Sequence, residues 1–109
     1  MFFEYSQNNS GGCFTTDDDL AHRVFIEAPS LCMANGKAQA IGIYFNGVEI
    51  GWDCECCGDR WHDPDELDIS KDELVVHAQR LADMYGWASP DAIIHYQDGT
   101  KQEIYTNKK

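Results

Sequence analysis

Residues 70–106 read SKDELVVHAQRLADMYGWASPDAIIHYQDGTKQEIYT, and two patterns in this stretch decide the fold. Leu74, His77, Ala78, Leu81, Met84 and Tyr85 recur at helical spacing, the stripe by which a helix buries one face. Ser70 with Glu73 three residues on is a capping-box pattern, which satisfies amide groups that the first turn of a helix leaves open. Gly86 supplies a stop and Ser89-Pro90 a loop, since glycine admits the left-handed residue that ends many helices and proline cannot continue one. The pattern then changes to DAIIHYQ, Asp98-Gly99 and TKQEIYT, two runs of strand character around a dipeptide suited to a tight hairpin turn. Helix followed by hairpin already points to an α+β domain.

Moving upstream, HDPDELDISKDE (residues 62–73) is a strongly acidic passage, read first as a solvated linker and second as an electronegative contact surface. Asp63, Asp65, Glu66 and Asp68 are its candidate partner-binding residues. Before it lies GWDCECCGDRWHD (residues 51–63), which holds Cys54, Cys56 and Cys57, with His62 five residues beyond Cys57. Cys54-x-x-Cys57-Gly58 has the form of a zinc knuckle, in which a short turn aims two thiolates at one ion and a glycine takes the backbone geometry that larger residues resist. Cys54 and Cys57 are the first pair of ligands expected, His62 the third. The fourth is Cys56, or Cys13, Cys32, His22, His77 or His95 brought in by the fold. A second Cys-x-x-Cys pair is absent, so free thiols and a redox role stand as alternatives to structural zinc.

Toward the N-terminus, SLCMANGKAQAIGIYF carries Leu31, Ala34, Ala38 and Ile41 at three- and four-residue intervals. That spacing predicts a helix capped by Ser30, with Cys32 a buried thiol beside the stripe. HRVFIEA alternates Val24 and Ile26 against Arg23, Phe25 and Glu27, a strand pattern. Phe2, Phe3, Glu4 and Tyr5 suit another strand. Between these two strands, SQNNSGG (residues 6–12) reads as a loop, and the amide groups of Asn8 and Asn9 make it a candidate for recognition. The expected architecture is a small antiparallel four-stranded sheet packed with two helices on one face, with a cysteine-rich zinc-knuckle-like loop.

Composition sets the remaining bounds. The 109 residues are 43% hydrophobic, enough for one modest core and a single domain. Eight basic against 19 acidic residues leave a formal charge of −11, which repels nucleic acid and anionic membranes and favours a partner with a basic surface. No apolar run approaches the ~20 residues needed to span a bilayer. An odd number of cysteines and the quickly polar opening MFFEYS argue for a reducing, intracellular setting. His-Glu-x-x-His is absent, and so is the His-x-Glu with Cys-x-x-Cys of a deaminase. A binding role is therefore expected rather than an enzymatic one. A metal enzyme using Glu55, Asp59 or Asp63 as base is the reserve reading.

FEYSQNNSGG, GIYFNGVEIG and DCECCGDRW together resemble a group of small uncharacterised proteins of tailed phages, particularly those of marine and cyanobacterial hosts. The resemblance spans Phe3 to Trp61 most clearly and implies a viral protein acting in the host cytoplasm or carried in the virion. In the first setting it docks on a host or phage protein, one form being imitation of nucleic-acid charge. In the second, Trp52, Trp61 and Trp87 contact neighbouring subunits in an assembly.

Overall fold

The computed structural model describes residues 1–8, 16–53, 55, 58–85 and 90–106, with Tyr85 described in its backbone only. Strand β1 (Phe2–Ser6) and β2 (Arg23–Glu27) precede helix α1 (Leu31–Ala40), and β3 (Asp65–Leu67), α2 (Lys71–Tyr85), β4 (Ala92–His95) and β5 (Lys101–Ile104) follow. The strands form one sheet in the order β3-β1-β2-β4-β5. β1 pairs antiparallel with β2 and with β3, β4 pairs antiparallel with β5, and β2 runs parallel to β4.

The result is an α+β fold with a five-stranded mixed sheet, one strand more than the four antiparallel strands expected. The additional strand, β3, lies inside the acidic passage read as a linker. Three residues with two exposed carboxylates carry no alternation that marks a strand; pairing with β1 makes it one.

The helices also lie on opposite faces of the sheet, not on one. Ala34 and Ala38 of α1 pack with Phe3, Tyr5, Val24 and Ile26, whereas Leu74, Ala78 and Ala82 of α2 pack with Phe2, Phe25, Ala92 and Ile94. Alternate residues of one strand face opposite sides, so Phe2 and Phe3 enter different cores. The topology requires this arrangement. The chain passes from β2 over β1 to β3, then from β3 back across β1 and β2 to β4, and two crossovers of one hand running in opposite directions must cover opposite faces. Cover on both sides explains why Ile93 and Ile94 are both fully buried, as expected of an interior strand.

The helix starts follow the sequence. Ser30 Oγ accepts the Met33 amide at 3.3 Å. Ser70 Oγ accepts the Glu73 amide at 3.2 Å and donates to Glu73 Oε1 at 3.1 Å. Three residues fall elsewhere than expected: the stripe residues Met84 of α2 and Leu31 of α1 are about half exposed, and Cys32, beside the α1 stripe, is exposed rather than buried. Met84 lies about 100° round the helix from the line of Leu74 and Ala78, outside the arc that the sheet covers. At the hairpin, Tyr96 N–H donates to Thr100 O and Gly99 alone takes positive φ, at 91°. The connection is thus a three-residue loop with a left-handed glycine rather than a two-residue turn.

Candidate functional site

Two features of the sequence carry the functional expectations: the cysteine-bearing turn and the acidic passage after it. The turn is braced by two aspartates. Asp53, whose side chain is 1% exposed, accepts the Tyr44 hydroxyl at 2.8 Å through Oδ1 and the Arg60 amide at 2.8 Å through Oδ2. Its own amide donates to Gly47 O at 3.0 Å, beside that of Trp52 at 2.8 Å. Asp59 accepts the Val48 amide at 2.9 Å. Arg60 turns its side chain to Asp53 as well, with Nε 3.9 Å from Oδ1.

Gly47 is where these bonds converge. A Cβ there would lie 1.8 Å from Asp53 Oδ2 and 2.8 Å from Tyr44 Cε2, so only glycine leaves room for the buried carboxylate. Asn46 before it is the one non-glycine among the described residues with positive φ, at 57°, a conformation asparagine tolerates. Burial, and then the hydrogen bond to Asp53, push the Tyr44 phenol above its ordinary range.

The exit of the turn is stitched to the end of β1. Asn8 N–H donates to Arg60 O, His62 N–H donates to Ser6 O, and Gln7 bridges Trp61. Trp61 is buried in the α1-side core, so it offers nothing to a neighbouring subunit. Trp52 is 67% exposed and stacks edge-on against Tyr44 at 4.9 Å. Trp87 lies outside the described residues.

Of the expected metal ligands, Cys54, Cys56 and Cys57 lie outside the described residues, as does Cys13. Gly58 has φ of 84°, the conformation a knuckle glycine takes. His62 has an exposed side chain. The other candidates are engaged elsewhere: His22 lies 3.7 Å from Asp91, His77 is 3.2 Å from Glu4, and His95 Nε2 is 2.9 Å from Asp19 O. Among the described residues no three His, Cys, Asp or Glu side chains converge as a metal site.

Of the expected partner-binding residues, Asp63, Asp65, Glu66 and Asp68 are all exposed and run along and beside β3, an outer strand of the sheet. Asp65 stands opposite Glu4 and Glu66 opposite Phe3, so the carboxylates project to both sides of this edge. Asn8 is half-buried, and its side-chain amide donates to Asp59 O at 3.3 Å; it fastens the turn. Asn9 lies outside the described residues.

A second polar cluster had no signature in the sequence. Asp91 is completely buried, with carboxylate oxygens 3.7 Å from His22 Nδ1 and 3.6 Å from Arg23 Nη1. Only the parallel pairing of β2 with β4 brings position 91 to positions 22 and 23.

These features define a small acidic α+β domain with a braced turn at one end of its central antiparallel pair and a negatively charged sheet edge. No helix among the described residues is long and apolar enough to cross a membrane. The chain belongs to the family described as Domain of unknown function (DUF7296), whose model matches residues 1–109. Comparison with curated proteins and with solved structures finds no match.

Proposed function

We propose that this protein works by binding rather than by catalysis, docking through the acidic edge at Asp63, Asp65, Glu66 and Asp68 on a protein with a basic surface. The observation that carries this reading is the exposure of all four carboxylates along and beside one outer strand of a chain whose formal charge is −11. Charge arranged in this way speeds encounter with a basic surface and selects against acidic ones. The resemblance to tailed-phage proteins supplies the setting, a host or phage protein inside an infected bacterium. A nucleic-acid-binding protein is the natural form of such a partner, with the acidic edge occupying its phosphate-binding surface.

The same charges also discourage edge-to-edge sheet pairing, and the experiment must separate the two roles. Immobilised protein is incubated with bacterial lysate, with and without added DNA, and compared with the variant D63N/D65N/E66Q/D68N. The expected result is a partner lost from the variant, displaced by DNA and released as salt approaches ~0.5 M, where charges separated by more than a few ångströms are screened. Equal recovery by both proteins sinks the docking role and leaves edge protection.

The proposal includes structural zinc at Cys54 and Cys57, with His62 and Cys56 completing the set. Support comes from the tie between Asp53 and Arg60, which closes the segment that bears the thiols, and from the left-handed Gly58. Bound zinc would hold that segment rigid.

A further inference from the structure

The outer face of α2 carries a stripe with a symmetry of its own. Val76 is 58% exposed and Met84 55%, and Arg80 and Glu73 are exposed between and before them. Beside the helix start, Leu67 and Ile69, both packed against the α2-side core, line a groove of about 570 Å³ together with Val76 and Arg80. Val76 lies two residues, about 200°, from the buried Ala78, so it sits near the centre of the face turned away from the sheet. Apolar residues at the middle of a solvent-facing stripe are poorly placed for a monomer.

The order of the residues selects the occupant. Glu73 and Arg80, and Val76 and His77, are two pairs centred on the same point, midway between residues 76 and 77. When two copies of a helix pack antiparallel about a two-fold axis, residues equidistant from the axis face each other. An axis at this midpoint therefore sets Glu73 of one copy against Arg80 of the other, twice, with Val76 beside the axis. Arg80 enters no ion pair among those found within the described residues. Glu73 uses Oε1 in its capping box and keeps a second oxygen for a cation. We infer that this face of α2 is a self-complementary interface and that its partner is a second copy of this chain in antiparallel orientation.

The test uses complementary charge variants of the whole protein. Sedimentation at increasing concentration is expected to move the wild type from 12.3 kDa to twice that mass. R80E alone sets acid against acid and E73K alone sets base against base, so each is expected to stay monomeric. An equimolar mixture of the two has opposite charges at both contacts and is expected to recover the double mass. V76E is expected to abolish association in every combination. Circular dichroism of each variant establishes that it is folded. A wild type that remains monomeric at all concentrations, or folded R80E and E73K that fail to associate when mixed, overturns the inference.

Discussion

Asp53 and Arg60 close the base of the cysteine-bearing turn: the Arg60 amide donates to Asp53 Oδ2 at 2.8 Å across a gap of seven residues. The carboxylate making this bond is almost wholly buried and also holds the Tyr44 hydroxyl. A buried carboxylate is tolerated only when its oxygens are satisfied. Amide, phenol and guanidinium do so here, and Tyr44, Asp53 and Arg60 are held together as a consequence.

Gly47→Ala tests this brace without touching a charge. The added methyl must displace Asp53 or Tyr44, and overpacking of this kind costs about 1–3 kcal/mol. Urea denaturation is expected to report a loss in that range, whereas Gly36→Ala, where nothing lies within 4 Å, is expected to gain up to about 1 kcal/mol from better helix propensity. Equal stability of the two variants would show that the brace is not as rigid as its bonds imply.

The cysteines divide by position. Cys57→Ser is expected to lose bound zinc and to lower the melting temperature sharply, because metal binding to such turns is coupled to folding. Cys32→Ser is expected to keep both, since Cys32 is exposed on α1 and stands outside the Cys54–Cys57 pair. Elemental analysis of the two purified variants decides the matter, and equal metal content in both refutes the ligand assignment.

Asp91 makes a separate prediction about stability. Asp91→Asn preserves shape but leaves Arg23, only 14% exposed, without its nearby carboxylate, and breaking a buried pair from one side costs about 3–5 kcal/mol. Arg23→Gln in the same background is expected to cost much less than it does in the wild type, because the interaction it removes is already gone. A double-mutant cycle by chemical denaturation measures the coupling, and additive losses would mean that the two groups act independently.

Much of this fold was legible because local signals were consistent with one another. Ser30 and Ser70 cap the helices they were expected to cap, β1 and β2 fall on the aromatic and alternating runs, and Asp98-Gly99 lies in the hairpin connection. What the sequence hid was the long-range arrangement. The α1 and α2 stripes state that each helix buries a face, but the choice of sheet face depends on the direction of each crossover, which no local pattern encodes. β3 was hidden because its residues are acidic and exposed, and a strand paired along one edge needs no apolar alternation. The site was legible as a cysteine cluster and an acidic run. Its brace was not, since Asp53, Tyr44 and Gly47 acquire their roles only when the turn at Asn46 folds back on Trp52.

Tyr5 yields a pH dependence whose sign can be worked out. Its side chain is fully buried on the α1 side of the sheet and its hydroxyl donates to Asn35 Oδ1 at 2.8 Å. Burial pushes the phenol up from 10.0 to about 12, and burial also raises Tyr44 and Tyr96. Between pH 10 and about 12 the unfolded chain therefore releases a proton that the folded chain retains, so stability falls as pH rises through this window and is whole below it. Tyr5→Phe is expected to cost about 1 kcal/mol at neutral pH through the lost hydrogen bond and to flatten the alkaline decline. Denaturation series across the window, with phenolate absorbance followed in parallel, provide the measurement. A Tyr5→Phe curve that declines in parallel with the wild type would assign the alkaline sensitivity to other groups.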